Sequence, residues 1–265
     1  MKHKDILIVG INSFIARALE RRWRKDNNVI GIHHDDELPK GVLDLVVNFS
    51  CPSNPTTENG LSILLANSTL MLKVLNCAVA SDAIFIQISS TAVKERRDEY
   101  GVGKMFSEML THRFSMEFQL NARIVRLRHT YGAGMQLNDG RAHTDIIGNA
   151  KEGRAVHYRG DGGSTRVFTH IDDVIDGIDR VATHGKKNGI YEVANPEGMT
   201  SIKKFAEIVA RIAGVSTYSK GVTETTFSFT PDITSCLKIG WKPKISLEDG
   251  IRKTLAGNGI PCSNP

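Results

Sequence analysis

Short strand-like segments alternate with helix-like segments through the first half of this chain. Asp5–Val9 is an aliphatic run that ends at Gly10, and residues 14–24 then show helical periodicity behind Ser13, a residue type that caps helices. Further strands are predicted at 29–32, 43–49, 84–89 and 122–128, with helices at 61–79 and 98–116. Because strands separated by helices become parallel neighbours, the pattern predicts an α/β fold whose parallel sheet is covered on both faces.

The alternation loosens beyond Tyr131, where many glycines separate short segments, and we predict that a smaller mixed α/β lobe begins there. A strand at 166–171, a helix at 172–183 and a strand at 190–193 return the chain toward the sheet. Amphipathic helices are predicted at 201–213 and 247–255. The predicted domains are 1–130 plus 169–194 for the sheet domain and 131–168 plus 195–265 for the lobe.

Composition and charge argue against several classes of protein. The longest apolar runs, 6–10 and 43–47, are too short to cross a bilayer, and the charged start of the chain does not resemble a secretory leader. The four cysteines lack the spacing of a disulfide framework or a zinc site, and the nine histidines are scattered. A net charge of +5 spread along the chain does not indicate nucleic acid binding. We therefore expect a cytoplasmic globular protein with no metal, no membrane association and no nucleic acid partner.

Tyr100 and Lys104 lie four residues apart in the helix predicted at 98–116, nine residues beyond Thr91. This spacing puts the phenol and the ammonium on one face of the helix. A phenol normally titrates near ~10, and a neighbouring cation stabilises the phenolate. The hydroxyl of Tyr100 then becomes a usable proton donor and acceptor, which suits the interconversion of carbonyl and alcohol groups.

The turn after the first strand, residues 10–16, can bind the pyrophosphate of a dinucleotide through backbone N–H groups and the positive end of a helix. Ser13 and Ala16 stand where two of the three usual glycines are expected. Alanine is tolerated at the last position, but Ser13 adds a side chain where the backbone approaches phosphate. Either Ser13 donates to the phosphate or binding is weakened, and a plain strand-helix turn is the alternative.

His33 ends the second strand, at the position where an acidic residue would bind the adenosine ribose hydroxyls. Without that carboxylate a 2′-phosphate is not repelled, which favours NADP over NAD. Asp35 and Asp36 follow immediately and could still reach the ribose.

Taken in chain order, these segments resemble the extended short-chain dehydrogenase/reductase superfamily, the NAD-dependent epimerase/dehydratase-like enzymes that act on nucleotide-linked sugars. The resemblance covers nearly the whole chain. It implies a Rossmann-type doubly wound parallel sheet, a smaller mixed α/β substrate lobe, NADP(H) or NAD(H), a nucleotide-diphosphate sugar as substrate, and a homodimer formed through the helices 61–79 and 98–116. The matching pieces are 9–16, 44–48, 89–91, 100–104 with Glu108, 127–132, 160–162, 166–168, 172–173, 191–195 and 237–243.

The resemblance also implies roles for single residues. Tyr100 would be the catalytic acid/base, Lys104 would tune it and bind the nicotinamide ribose, and Thr91 would hydrogen-bond the reacting sugar oxygen. Arg166 would hold the nucleotide diphosphate, which the fork of a guanidinium matches. The predicted cofactor-binding residues are Gly10, Asn12, Ser13, Phe14, Ile15, His33, Phe49, Ser50, Cys51, Ser89, Tyr100, Lys104 and His129. The predicted substrate-binding residues are Ser90, Thr91, Tyr131 and Arg166.

Departures from the family pattern narrow the predicted reaction. Dehydratases place an acidic pair directly after the Ser/Thr, and here those positions are Ala92 and Val93. The Asn that epimerases often carry is absent before Tyr131, where His129 and Thr130 stand instead. The segment between Thr91 and Tyr100 is also shorter than the usual loop. Dehydration is therefore disfavoured, and we expect a more open sugar site.

Three hypotheses follow. The leading one is a nucleotide-sugar 4-keto reductase in which Tyr100 protonates the alkoxide formed by hydride transfer. The first alternative is a nucleotide-sugar epimerase with tightly bound NAD, which oxidises and re-reduces one carbon. The second alternative is a non-catalytic dinucleotide sensor or scaffold, suggested by Ser13 in the phosphate-binding turn.

Overall fold

The computed structural model of the chain describes residues 1–50, 60–95, 98–221 and 230–262. These residues divide into two compact units. The first unit comprises 1–127, 175–193 and 233–241, and the second comprises 128–174, 194–232 and 242–265.

The first unit is built on a sheet of six strands. They are β1 (Asp5–Val9), β2 (Asn28–Ile32), β3 (Leu45–Asn48), β4 (Ile84–Ser90), β5 (Asn121–Leu127) and β10 (Ile190–Val193). Their order across the sheet is β10, β5, β4, β3, β1, β2, and every neighbouring pair is parallel. The predicted Rossmann-type fold class is confirmed, and the four predicted strands of β1 to β4 lie beside one another with their carboxyl ends at one edge.

Helices cover both faces of this sheet. They are α1 (Phe14–Trp23), α3 (Met71–Ala80), α4 (Glu99–Glu117) and α6 (Ile171–His184). On one face α3 and α4 bury an apolar cluster with Leu7 and Val9 of β1. Successive strand residues point to opposite faces, so Ile6 and Ile8 are buried on the other face. There the indole of Trp23 in α1 donates to Asp179 of α6 over 2.7 Å.

The helix predicted at 61–79 contains a change of helix type. It begins as α2 (Gly60–Leu65), passes through a π-helical stretch (Ala66–Leu70) and continues as α3. Asn67, which is buried, donates from Nδ2 to the Ile63 carbonyl at 2.7 Å, so a polar side chain inside the stretch bonds its own helix.

This segment also has the composition of a membrane-spanning helix. Ile63–Ala80 is 18 residues long with a mean hydropathy of 1.6. Core helices of globular folds satisfy the same criterion, and Met71, Val74 and Leu75 lie in the buried cluster under α3. The absence of membrane association stays a prediction.

The second unit combines short two-stranded pairings with three longer helices. The strands are β6 (Thr130–Tyr131), β7 (Val156–Arg159), β8 (Thr165–Val167), β9 (Thr169–His170), β11 (Met199–Ser201) and β12 (Thr217–Lys220). The helices are α5 (Ala142–Lys151), α7 (Ile202–Ala213) and α9 (Leu247–Gly257). Helix α7 packs against both α5 and α9. Helix α5 was not predicted, because Thr144, Gly148 and Asn149 are weak helix formers and its stability comes from buried Ile146 and Ile147.

The unit boundaries differ from the predicted domains mainly at two segments, and residues 128–130 and 194 also fall in the second unit instead of the predicted sheet domain. Residues 233–241 were predicted in the lobe but belong to the first unit, because α8 (Thr234–Lys238) packs on β10, where the Cys236 Sγ lies 3.4 Å from the Glu192 carbonyl oxygen. Residues 169–174 were predicted with the sheet but belong to the second unit. Local sequence patterns define these short elements, but only packing decides which unit they join.

Candidate active site

The turn after β1 forms a cradle that only glycine fits. Gly10 has a φ of +83°, and a Cβ built there would lie 3.0 Å from the Ser50 nitrogen and 3.1 Å from the Phe49 carbonyl carbon. The N–H groups of Gly10 and Ile11 both donate to the Ile32 carbonyl, at 2.9 and 3.0 Å. This close approach of three strand ends is the geometry in which a backbone can meet a pyrophosphate.

Helix α1 begins directly after this cradle. Ser13 occupies the N-cap position, as predicted, but within the described structure its side chain makes no capping hydrogen bond. The first N–H groups of a helix have no partner inside the helix, so the start of α1 offers donors to an anion. Asn12 is exposed, whereas Phe14 and Ile15 are half-buried. These residues are placed where the sequence predicted a phosphate-binding turn, and their contact with a cofactor stays a prediction.

A carboxylate stands at the end of β2 despite the histidine at position 33. The backbone N–H of His33 donates to Oδ2 of Asp36 at 2.7 Å, and the His33 side chain is exposed. Asp36 thus brings an acidic group back to the strand end where acidic residues bind ribose hydroxyls. The sequence argument for NADP rested on the absence of a carboxylate here, and this contact removes that reason.

The end of β3 forms the next part of the site edge. Phe49 and Ser50 are buried, and the Phe49 N–H donates to the Val9 carbonyl at 2.9 Å. The Ser50 N–H donates to Oδ1 of Asn48 at 3.1 Å, which fixes the turn after the strand. Cys51, also predicted to bind the cofactor, lies outside the described residues.

Helix α4 carries the predicted acid/base pair. Asp98 caps it, since its side chain accepts from the Gly101 N–H at 3.0 Å. Lys104 is only 4% exposed, and its ammonium donates to the Ile88 carbonyl near the end of β4 at 2.9 Å. Tyr100 is half-buried one helical turn before it. The cation is therefore held in a fixed position beside the strand end.

Thr91 begins a short 3₁₀ turn (Thr91–Lys94) that follows β4 and packs against α4. Thr91 is fully buried, and the side chain of Ser90 accepts from the Ala92 N–H at 3.1 Å. The structure thus places the predicted catalytic residues of the first unit on two elements in contact, α4 and the turn after β4.

Ser89, a predicted cofactor-binding residue, bonds to α4 through its side chain. It is buried, and its hydroxyl donates to Oε1 of Glu108 at 2.5 Å. Its side chain therefore points toward α4, and its contact with a cofactor stays a prediction. Glu108 was part of the matching sequence pieces, but no role was predicted for it. Its position four residues after Lys104, on the same helix face, was the available signal.

The predicted ligand residues of the second unit differ in exposure. Arg166 lies half-buried on β8, where its Nη1 donates to the Thr165 carbonyl at 2.9 Å. Tyr131 is 1% exposed, its hydroxyl donates to the Leu247 carbonyl at 3.3 Å, and burial raises the pKa of this phenol. A Cβ at Gly250 would lie 2.0 Å from that hydroxyl. The side chain of Tyr131 therefore packs in the core of the second unit, and its predicted substrate contact stays a prediction.

His129 belongs to a buried aromatic cluster that sequence reasoning did not anticipate. Its ring lies 5.9 Å from Phe168 and 6.3 Å from His143, between ring centroids. Burial, followed by the charge of Arg128, holds the pKa of His129 well below its usual value, and burial lowers the pKa of His143 to about 3. Among the described residues, Nδ1 of His129 and Nε2 of His143 have no hydrogen-bond partner. Both rings are therefore neutral, and the predicted cofactor contact of His129 stays a prediction.

No group of three or more His, Cys, Asp or Glu side chains arranged to hold a metal occurs in the described part of the chain. The absence of a metal site in the whole protein remains a prediction.

A comparison with known protein families identifies the family of this chain. The sequence model of the NAD dependent epimerase/dehydratase family matches residues 42–194, which is more than half of the chain. The chain belongs to this family. The resemblance to extended short-chain dehydrogenases is thereby confirmed, and the chain is an enzyme of the NAD-dependent, nucleotide-sugar type.

Relatives from this epimerase/dehydratase family extend over almost the entire chain. UDP-glucuronic acid decarboxylase 5 of Arabidopsis thaliana is 27% identical over 275 residues, which are 94% of this chain and 80% of the relative. UDP-glucuronic acid decarboxylase 1 of Danio rerio is 24% identical and covers 96% of this chain and 67% of its own.

Solved structures share the fold at lower identity. UDP-glucuronic acid 4-epimerase from Bacillus cereus, in complex with UDP-glucuronic acid and NAD, has a TM-score of 0.84 at 20% identity and covers 96% of this chain and 99% of its own. RMD from Pseudomonas aeruginosa, complexed with NADPH, has a TM-score of 0.83 at 19% identity over 96% and 98%. At these identities the likeness concerns the fold of the family.

Proposed function

We propose that this enzyme oxidises and re-reduces a ring carbon of a nucleotide-linked sugar, with Tyr100 moving the proton of the sugar hydroxyl. The observation that carries this proposal is the buried ammonium of Lys104, held at the end of β4, with Tyr100 half-buried one helical turn earlier on α4. Residues at this spacing share one face of the helix, and Tyr100 would take a proton from a sugar hydroxyl and return it. Thr91, on the turn packed against α4, would hydrogen-bond the same oxygen.

The residues at the strand ends fit a dinucleotide. The cradle at Gly10 has no room for a Cβ, and α1 begins directly after it with N–H groups that have no partner inside the helix. Asp36, Phe49 and Ser50 would line the same edge. When bound there, NAD supplies the acceptor and donor of hydride.

A redox-neutral epimerisation is the finer reaction that we propose. Asp36 supplies the carboxylate whose absence had favoured NADP and net reduction. Relatives and structural neighbours include UDP-glucuronic acid decarboxylases and a UDP-glucuronic acid 4-epimerase, and neither name denotes a net reduction. In an epimerisation Tyr100 would accept the hydroxyl proton as the carbon is oxidised and return it after hydride is delivered to the other face.

Net reduction of a keto-sugar is the second candidate. The neighbour RMD was crystallised with NADPH. The side chain of His33 is exposed at the end of β2, where it would contact the 2′-phosphate of a bound NADPH. Ala92 and Val93, both buried, place no acid in the turn after β4, so either candidate would work without an additional carboxylate there. Arg166 is proposed to hold the diphosphate of the substrate in both cases.

The nucleotide retained by the purified protein separates the two candidates. We expect denaturation to release NAD in near-stoichiometric amount, and we expect turnover of UDP-glucuronic acid or UDP-glucose without added cofactor. Absence of retained NAD, together with NADPH-dependent reduction of a nucleotide-linked 4-keto-hexose, would establish the reductase instead. Loss of carbon dioxide from UDP-glucuronic acid would show decarboxylation. Failure to bind either nucleotide in calorimetry would exclude both reactions and a dinucleotide sensor, and would leave only a non-catalytic scaffold.

The role of Tyr100 has its own test. Tyr100→Phe removes the hydroxyl but keeps the ring, so we expect unchanged NAD affinity and a turnover number lower by about 10²-fold or more. Undiminished turnover of the variant would contradict the assigned role.

A homodimer and a cytoplasmic location complete the proposal. Helix α4 exposes Val102, Phe106 and Met109, and the α2–α3 segment exposes Leu65 and Leu72. Apolar side chains exposed on neighbouring helices are typical of a protein–protein interface. Sedimentation equilibrium of the full chain would show whether it is dimeric.

A further inference from the structure

A row of polar side chains crosses the sheet beneath α4, at the level where β4 ends. Ser89 of β4 pairs with Arg126 of β5, and Arg126 pairs with Glu192 of β10. Residues in register on neighbouring strands project from the same face, so these three side chains form one rung under the helix. Phe85 on the same strand face of β4 belongs to the apolar cluster below α3 and α4. The polar rung therefore replaces apolar packing at the catalytic end of the strands.

The rung is completed by a carboxylate from α4. Glu108 accepts from Arg126 Nε at 2.9 Å and Nη2 at 2.6 Å, in addition to the Ser89 hydroxyl at 2.5 Å. Arg126 Nη1 also lies 3.7 Å from Oε1 of Glu192. The side chains of Glu108, Arg126 and Glu192 are 10%, 16% and 5% exposed. The Glu108 contacts raise the pKa of Arg126, so the guanidinium stays charged.

Lys94 closes the other end of the row. It is the last residue of the Thr91–Lys94 turn, and its ammonium forms an ion pair with Oε1 of Glu192. The Lys94 side chain is 39% exposed, whereas Glu192 is almost fully buried. A partly exposed lysine therefore reaches down to a carboxylate in the sheet, and the turn that starts with Thr91 is tied to β10.

The two ends of this row lie on the two elements that carry the proposed catalytic residues, α4 and the turn after β4. Glu108 lies one helical turn beyond Lys104 on α4, and Lys94 ends the turn that Thr91 begins. Two cations and two carboxylates balance the charge, and a buried ionic row of this kind specifies geometry more than it adds stability. Lys94 is the member of these four charges that lies on the turn, whereas Glu108, Arg126 and Glu192 lie on α4, β5 and β10.

We infer that Lys94 is a positioning residue: through Glu192, Arg126 and Glu108 it sets the place of Thr91 relative to α4. This inference deepens the proposed function and rests on it. Lys94 is not one of the groups that the proposed reaction uses, and its ammonium pairs with Glu192, so its removal should disturb the placement of Thr91 without removing a reacting group. A misplacement of about 1 Å in a reacting group costs about 10²-fold in rate.

The test replaces Lys94 and measures the rate of the reaction and the mobility of the turn separately. Lys94→Met keeps the aliphatic chain and removes the charge, and Lys94→Arg restores a cation that can reach Glu192. The matched control is Lys4→Met, which breaks a surface ion pair of the same unit, to Asp44 at 2.8 Å. For each full-length variant the turnover number, the KM for the nucleotide sugar, the NAD affinity and backbone hydrogen exchange over 91–95 are measured.

We expect Lys94→Met to lower the turnover number by about 10- to 100-fold, with NAD affinity within twofold of the wild type and faster exchange in the turn. Lys94→Arg should recover most of the turnover. Lys4→Met should change neither the turnover number nor the exchange in the turn. A Lys94→Met variant with wild-type turnover and unchanged exchange would overturn the inference, as would a loss that Lys94→Arg does not repair.

The outcome is distinguishable from a failure of the proposed function. If the wild type turns over no nucleotide sugar, the proposed function fails, and the exchange data still decide whether the turn is held by Lys94. If hydrogen exchange over 91–95 is the same in Lys94→Met as in the wild type, the ion pair between Lys94 and Glu192 does not restrain the turn, and the inference is rejected.

Discussion

Acidification should destabilise the second unit through His143, whose ring lies in the aromatic core. It is 4% exposed and its ring centroid lies 5.8 Å from that of Phe168. Burial, with a smaller contribution from the charge of Arg141, lowers the pKa of His143 to about 3 in the folded protein. The unfolded chain takes up a proton at this site near its usual value of ~6.5. Since the folded pKa is the lower one, stability is present above pH 6.5 and is lost as the pH falls from there toward 3.

The size of the effect follows from this difference. Each pH unit between the two pKa values changes the free energy of unfolding by about 1.4 kcal/mol, so at pH 5 His143 alone should cost about 2 kcal/mol relative to pH 7.5. At pH 5 the ring of His143 is still neutral in the folded protein, so the loss depends almost entirely on the unfolded chain. His129 and His170, whose pKa values burial also lowers, add to the loss in the same direction.

Denaturant unfolding of the wild type, His143→Gln and His112→Gln at pH 7.5 and pH 5 provides the test. His112 is exposed on α4 and serves as the control. We expect His143→Gln to be less stable at pH 7.5 because it disturbs the core, but to lose about 2 kcal/mol less than the wild type on acidification. The reasoning would be refuted by a His143→Gln variant whose loss between the two pH values equals that of the wild type and of His112→Gln.

Three further predictions concern the first unit. Gly10→Ala should destabilise the protein by about 1–3 kcal/mol and weaken NAD binding, because its φ of +83° and the 3.0 Å approach to Ser50 exclude a Cβ; calorimetry showing wild-type affinity would contradict this. Asp98→Ala should lower the free energy of unfolding by about 1 kcal/mol through loss of the cap on α4, measured by denaturant unfolding, and an unchanged midpoint would reject the role of the cap. Asp36→Ala should weaken NAD more than NADP in paired titrations, since it removes the carboxylate at the end of β2, and an equal loss for both nucleotides would show that Asp36 does not face the ribose.

Much of the catalytic edge could be predicted from the sequence because its signals are local. The strand β1, the turn at Gly10, the cap at Asp98 and the spacing of Tyr100 and Lys104 are each encoded within a few neighbouring residues. Such features follow from backbone sterics, capping and helical periodicity, which need no knowledge of distant contacts.

Some features of the site depend on the direction of a side chain, which the sequence leaves open. The sequence showed that Asp36 could reach the ribose, and the shape of the loop after β2 brings its carboxylate to the His33 N–H. Tyr131 lies in a motif that suggests ligand binding, and the packing of α9 buries its hydroxyl. In both cases the residue was identified from the sequence, and only the structure gave the direction of its side chain.

The sequence alone thus determined which elements form, that they build a parallel α/β sheet, and that a phenol and an amine share one helix face. Only the tertiary structure decided which polar groups meet across the sheet: the row from Ser89 through Arg126 to Glu192 exists because three strands align in one register. Strand register and loop direction depend on the summed packing of the whole unit. A pattern within one segment cannot specify them, because the partners lie on other segments.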